Sequence, residues 1–303
     1  MDKKLSGKPV AERIKAAIVS LTATHQLTPR MCLIQVGSDP AADYYVQSIV
    51  KNGARLNCSV DLLNLPSSCT EQELLSRIET ANLDDSVHGI MIQKPLPAWI
   101  DDNRVGMMIA ADKDIDCLNP TNLGRIILEA DTLLPCTPFA VCCTLRHYGI
   151  AVEGRQVVII GRSSIVGKPL ANLLLWKKSF ANATVTVCHS KSRNLRSITQ
   201  TADVLVAALG KPEFVTGDMI KENSILIDVG INEKIDGSGK ISYVGDIDYN
   251  DCIDKAMAIT PVPGGIGTVT SSLLFLNLLK ATLNACQINK TIDDFLSLIF
   301  DDI

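Results

Sequence analysis

Short Val- and Ile-rich runs alternate along the chain with longer stretches of helical period, and this alternation limits the fold more than any other feature. The runs span 31–37 (MCLIQVG), 87–93 (VHGIMIQ), 156–161 (QVVIIG), 184–188 (TVTVC), 203–209 (DVLVAAL) and 224–230 (SILIDVG), with 256–260 (AMAIT) as a weaker seventh. Strands that are apolar on both faces belong to a parallel sheet covered by helices, so an α/β fold is predicted. A chain of 303 residues accommodates about two domains. Pro95, Pro97, Pro120, Pro135 and Pro138 punctuate the stretch after the second run, and an apolar helical segment over 139–148 then ends at Gly149. This segment is expected to act as a connector, with a first domain over 1–140 and a second over 141–269. A final helix over 270–285, capped by Thr270 or Ser271, is expected to cross back, so that 270–303 complete the first domain.

Composition removes several classes of function. Lys plus Arg number 29 against 33 Asp plus Glu, a net charge of −4, so no bulk basic field exists to hold a nucleic-acid backbone. The N-terminal segment has apolar residues at helical spacing between Lys and Arg, unlike a secretory leader. No apolar stretch reaches the roughly 18 to 20 residues of a membrane span, the longest, 271–279, stopping at Lys280. The expected location is therefore the cytoplasm or an organelle matrix, with no membrane partner. Ten cysteines form no C-x-x-C pair and mostly sit in apolar runs, as reduced packing residues do. Four histidines lack metal-ligand spacing, and no metal is expected.

The run at 156–161 passes directly into Gly161-Arg162-Ser163-Ser164-Ile165-Val166-Gly167-Lys168-Pro169 and then into a helical LANLLLW. A strand, a glycine turn and a helix start make an anion site, because glycines let backbone approach a phosphate and the first helical N–H groups are unpaired. The spacing is G-x5-G rather than G-x-G-x-x-G, and a purely structural tight turn is the alternative. After the next run comes His189-Ser190-Lys191-Ser192, without the carboxylate that receives the ribose 2′-hydroxyl of NAD. Arg162 and Ser190 suit a 2′-phosphate, which favours NADP over NAD.

Four further segments place polar residues where a fold would not require them: Asp39–Val46, Gln93-Lys94-Pro95-Leu96-Pro97, Lys113-Asp114-Ile115-Asp116 and Pro261-Val262-Pro263-Gly264-Gly265-Ile266-Gly267. Together with the glycine turn and TVTVCHS, the chain resembles the bifunctional methylenetetrahydrofolate dehydrogenase/methenyltetrahydrofolate cyclohydrolase family from about residue 2 to about residue 287. The resemblance implies an N-terminal α/β folate domain and a Rossmann-like NADP domain, a folate cleft between them, and a homodimer. It implies NADP-linked oxidation of 5,10-methylenetetrahydrofolate to the 5,10-methenyl form, then hydrolysis to 10-formyltetrahydrofolate, in one-carbon metabolism serving purine biosynthesis. Tyr45, Gln93 and Asp116 match the family's catalytic positions, and Tyr45, Asp116, Pro261, Gly264 and Gly265 its folate contacts. Gly161, Arg162, Ser163, Val166, Gly167, Ser190 and Ile231 match its cofactor contacts. In the family the aspartate binds the pterin, the tyrosine packs on the folate rings, and the glutamine contacts a catalytic lysine and substrate.

That lysine is missing. Four residues after Tyr45, on the same helical face, this chain has Ile49. Lys51 is rotated about 240° from Tyr45 on a helix. Lys94 replaces the leucine usual after the glutamine, and neighbours in an extended segment point to opposite sides. Cys117 and Thr268 are smaller departures, for a glycine and a proline. The expected protein is an NADP-linked dehydrogenase with weakened or absent cyclohydrolase activity. The alternatives are a folate- and NADP-binding regulator without turnover and an NADP dehydrogenase for another small substrate.

Overall fold

The computed structural model describes residues 3–235, 239 and 241–300. The described residues divide into two compact units, an N-terminal unit of residues 13–136 and 271–300, and a central unit of residues 3–12 and 137–270.

The N-terminal unit is built from α1 (Gly7–Thr24), whose first turns fall to the central unit, then β1 (Arg30–Val36), α2 (Pro40–Arg55), β2 (Ser59–Leu65), α3 (Glu71–Leu83), β3 (Gly89–Ile92), α4 (Asp102–Met108) and α5 (Pro120–Ile127). Its three strands are parallel in the order β2-β1-β3. Sequence reading missed β2: it is half-buried, and Asp61 and Asn64 interrupt its apolar run, so it shows neither a continuous nor an alternating pattern. Its Asp61 accepts from Arg30 Nε at 2.5 Å, across the β1–β2 pair. Thr70 and Glu73 cap α3 reciprocally, and Asn119 followed by Pro120 starts α5. Past β3 the chain returns along it: Ile90 pairs in parallel with Asp114, and Ile90 N–H donates to Lys113 at 2.7 Å.

The central unit follows α6 (Cys136–His147) with β4 (Gln156–Ile160), α7 (Gly167–Leu175), β5 (Thr184–Cys188), α8 (Leu195–Thr199), β6 (Val204–Ala207), β7 (Ile225–Asp228), a hairpin of β8 (Asn232–Ile235) and β9 (Ile241–Val244), α9 (Tyr249–Cys252) and β10 (Ala258–Ile259). Five parallel strands lie in the order β10-β7-β6-β4-β5 around a core that includes Val158, Ile160, Leu205, Ala207, Leu226 and Ile259. Chain order reverses between β4 and β6, the switch point at which open α/β sheets bind ligands.

Residues up to 12 belong to this central unit, not to the first domain where the sequence reading placed them. Leu5 N–H donates to Ile259 at 2.9 Å, Ile259 N–H to Lys3 at 2.7 Å, and Gly7 N–H to Gly264 at 2.8 Å. A single bridged residue, Lys4 against Ile259, extends the sheet at β10 and has no periodicity to read. The division after Cys136 lies slightly before the boundary expected at 140.

The chain then enters α10 (Ile266–Ala285) and α11 (Ile292–Phe300). The helix expected to begin at Thr270 or Ser271 starts at Ile266, straight after the glycine-rich loop, so neither residue is its cap. Lys280, where the apolar stretch stops, lies within it. It is 2% exposed and donates to Asp131 at 2.6 Å and to the Lys290 carbonyl at 2.7 Å. By length and composition α10 could cross a membrane, but it is mostly buried within the protein. Asn277 fastens it in the N-terminal unit, donating to Ile115 at 2.8 Å and Leu134 at 2.7 Å. Lys280→Ala removes both ammonium bonds, and a loss of about 1–3 kcal/mol is expected in urea unfolding, with an unchanged midpoint excluding this tether.

Candidate functional site

In the central unit the glycine turn has the geometry its spacing suggested. Gly161 follows β4 with φ +134°, and a Cβ there would overlap the Ala208 carbonyl. A Cβ on Gly167 would overlap the Gly161 carbonyl, so both glycines are needed for the turn to close. Ser163 Oγ accepts from Val166 N–H at 3.1 Å and Gly167 N–H at 3.4 Å, satisfying two N–H groups at the start of α7. Arg162, Ser163, Ser164 and Ile165 are exposed around this cradle, and Val166 is half-buried.

Ile160 pairs with Cys188 in the β4–β5 register, so Arg162 and Ser190 each lie two residues beyond the same sheet edge, both exposed. His189 takes part in closing its own turn, its N–H donating to Ser192 Oγ at 3.0 Å and its Nδ1 accepting from Lys191 N–H at 3.1 Å. Residues 189–192 include no acid. A backbone cradle that side chains cannot fill, flanked by exposed guanidinium, hydroxyl and ammonium groups, fits a phosphorylated dinucleotide. Gly161→Ala is expected to raise KM for the nucleotide at least tenfold, and an unchanged KM would show that the turn has no part in binding.

Ile231 is exposed beyond β7 and lies next to Gly267, where a Cβ would stand 3.1 Å from Ile231 Cδ1. Gly264 has φ +99°, and a Cβ on Gly265 would press on the Pro261 carbonyl, so Pro261, Gly264 and Gly265 form one tight loop before α10.

Two buried aspartates beside the switch point escaped the sequence reading. Asp246 accepts from the N–H groups of Leu209 at 2.5 Å, Gly210 at 3.0 Å and Lys211 at 2.8 Å, and from Asn232 Nδ2 at 2.9 Å. Asp228 accepts from Gly230, Asp246 and Ile247 N–H groups at 2.8–3.0 Å, and burial still pushes its carboxyl up to about 7. For Asp228 a signal was present: an acid closing an all-apolar strand must find donors, because an unpaired charge there is costly.

In the N-terminal unit, α2 carries Tyr45 and, one turn later, Ile49, which is 2% exposed. Burial raises the Tyr45 phenol, with Asp116 and Cys136 adding to the rise and a hydrogen bond from Ser271 opposing it. Burial pushes the Asp116 carboxyl up to about 7, Asp114 adding and Lys94 opposing. Asp114 shapes the loop that presents Asp116, accepting from Leu118 N–H at 3.0 Å, Asn119 N–H at 2.7 Å and Asn122 Nδ2 at 3.1 Å. Cys117 sits in this loop at φ +59°, a conformation that favours glycine.

Gln93 ends β3 and is 8% exposed; its Nε2 donates to the Lys94 carbonyl at 2.6 Å, while its Oε1 is buried and has no donor among the described residues. Lys94 Nζ donates to Asp102 at 2.5 Å, and Lys51 stands exposed. The N-terminal unit thus holds Tyr45, Gln93 and Asp116, with Asp116 close enough to Tyr45 to raise its phenol. Pro261, Gly264, Gly265 and the nucleotide-turn residues belong to the central unit.

A parallel sheet with a glycine cradle at its switch point, together with an α/β unit holding a desolvated acid, a tyrosine and a glutamine, defines a two-unit protein of the nicotinamide-nucleotide-binding class. Residues 5–116 match the model of the tetrahydrofolate dehydrogenase/cyclohydrolase catalytic domain, and residues 135–286 that of the NAD(P)-binding domain of the same family. The chain is 42% identical over 294 residues to the bifunctional protein FolD of Chlorobium phaeobacteroides, covering 94% of this chain and 99% of that one. The solved bifunctional FolD dehydrogenase/cyclohydrolase of Campylobacter jejuni superposes with a TM-score of 0.86 at 39% identity, over 92% of this chain and 98% of that one. The Trypanosoma brucei FolD, solved with NADP cofactor and an inhibitor, gives a TM-score of 0.84 at 32% identity, over 95% and 98% of the two chains. This chain belongs to the tetrahydrofolate dehydrogenase/cyclohydrolase family.

Proposed function

We propose that this protein oxidises 5,10-methylenetetrahydrofolate to 5,10-methenyltetrahydrofolate with NADP, and hydrolyses the product to 10-formyltetrahydrofolate only weakly. The observation that carries this reading is the half-buried Asp116 carboxyl, held above the usual carboxylate range by desolvation and close enough to Tyr45 to raise its phenol, in a unit where position 49 is an apolar core residue. Asp116 can accept hydrogen bonds from the pterin amino group and ring N–H, and Tyr45 offers a ring face to the pterin. Gln93 Oε1 is an unpaired buried acceptor for a further substrate donor.

When bound, NADP supplies the hydride acceptor. Hydride leaves the methylene carbon with its electron pair, the product is the methenyl cation, and no side chain has to move a proton. Alignment and exclusion of water are the protein's share of that step. Hydrolysis differs: water bonds to the methenyl carbon, loses a proton, and the carbon–nitrogen bond then breaks with protonation of nitrogen. Ile49 can carry none of those protons.

The relatives are named as enzymes, which lends no support to a regulator without turnover. Cytoplasmic residence fits the ten unpaired cysteines, and homodimerisation fits the exposed Ile235, Ile241 and Tyr243 of the β8–β9 hairpin. The 10-formyl product is the form that would serve purine biosynthesis. One assay following NADPH appearance and methenyl absorbance separately tests the activity: NADPH should form while methenyl accumulates. Absence of NADPH would refute the dehydrogenase, and methenyl decay far above the uncatalysed rate would refute the weak hydrolysis.

A further inference from the structure

The carboxylate of Asp246 fills a concavity of backbone N–H groups at the C-terminal edge of the central sheet. Its Oδ2 accepts from Leu209 and Gly210 N–H, and its Oδ1 from Lys211 N–H and Asn232 Nδ2, so four donors converge on two oxygens. Successive N–H groups around a turn, here with Gly210 at φ +64°, form an anion-binding nest, and a side chain of the protein itself occupies this one. Asp246 is fully buried, and its own segment is fixed in turn: its N–H donates to Asp228 Oδ1 and that of Ile247 to Asp228 Oδ2. A Cβ on Gly230 would stand 2.3 Å from the Asp246 carboxylate carbon, so the chain just before the exposed Ile231 is drawn in tightly as well.

The loop held in this way borders the nucleotide crevice. Ile160, Ala207 and Asp228 are level across β4, β6 and β7, so Gly161 and Ala208 are the first residues beyond two neighbouring strand ends. Ala208 N–H donates to Ile160 at 2.9 Å, and the Ala208 carbonyl takes the space that a Cβ on Gly161 would need. Leu209, Gly210 and Lys211 continue from there. A dinucleotide lies across such a switch point with one half on each side. Arg162 and Ser190, beyond β4 and β5, stand on the side of the 2′-phosphate, which leaves the loop after β6 beside the nicotinamide half.

We infer that Asp246 is a positioning residue for the nicotinamide half of NADP: by filling the nest it holds residues 208–211 against the glycine turn, with Asp228 anchoring it from β7. The inference rests on NADP binding at the glycine turn, not on the folate chemistry of the N-terminal unit. Asparagine at position 246 isolates the effect, because it keeps the side chain's size. Whichever way its amide turns, its NH2 meets two N–H donors, Leu209 and Gly210 or Lys211 and Asn232, and those bonds are lost.

The test is calorimetric titration with NADP and with adenosine 2′,5′-bisphosphate, the half that carries the 2′-phosphate, in the wild type, Asp246→Asn and Asn232→Ala. Asp246→Asn is expected to raise Kd for NADP about tenfold or more, and Kd for the bisphosphate by no more than about twofold. Asn232→Ala takes one donor from the carboxylate and leaves its three backbone bonds, so the same selectivity is expected at about two- to threefold. A merely structural role would weaken both ligands alike or neither, and either result overturns the inference. Should Asp246→Asn not fold, Asn232→Ala decides alone. A wild type that binds NADP but not the bisphosphate overturns the placing of the two halves, and the inference with it. A wild type that binds neither ligand instead overturns the NADP-linked reading, so the two failures are distinct.

Discussion

Ile49→Lys is expected to raise methenyltetrahydrofolate hydrolysis by about a hundredfold, the lower end of what a positioned proton-transfer group contributes. Position 49 lies one turn after Tyr45 on α2 and therefore on the same face. Gln93 Oε1, buried and without a donor, is the acceptor that a new ammonium in this unit could use. The substitution also places a charge where the present side chain is 2% exposed, so the melting temperature should fall by several degrees. NADPH formation need not rise, because hydride transfer uses no proton at that position. A folded variant with wild-type hydrolysis would show that position 49 is not where this chemistry is missing.

Asp116→Asn should cut dehydrogenase kcat/KM by about a hundredfold or more, since the amide cannot reproduce a charged acceptor for two pterin donors. The same change should stabilise the protein at alkaline pH. A carboxyl whose folded value is raised to about 7 holds its proton more tightly in the folded chain than in the unfolded one. Its contribution to stability is therefore greatest at low pH and is lost as pH rises from about 4 through 7. Asparagine carries no such penalty. The variant is expected to melt several degrees above the wild type at pH 8, with the difference shrinking as pH is lowered toward 4. Equal melting temperatures at pH 8 would mean that burial does not strain this carboxylate.

The parts of the fold legible in the sequence were those with a repeating physical signature. Strands apolar on both faces, such as 156–160 and 225–228, announced the parallel sheet, and the Gly161 to Gly167 spacing announced a turn that tolerates no side chain. Strand 59–65 stayed hidden because Asp61 and Asn64 break its pattern, and the hairpin of 232–235 with 241–244 because its faces are mostly exposed. Lys280 read as the charge that ends an apolar stretch, and sequence alone could not show that Asp131 and the Lys290 carbonyl would meet it in the interior. The same limit applied to the site. The family resemblance singled out Asp116 and Tyr45, but not the acids Asp228 and Asp246, whose partners are mostly backbone N–H groups that only the folded loops assemble.

The pairing of Lys4 with Ile259 ties the first residues to the last strand of the central sheet. A nascent polypeptide cannot make that pairing until the more than 250 residues between its partners have left the ribosome, and contacts of such long range are slow to form. Residue 259 must therefore emerge before the sheet's outer edge is sealed. A bulky insertion directly before Lys3 would load that seam.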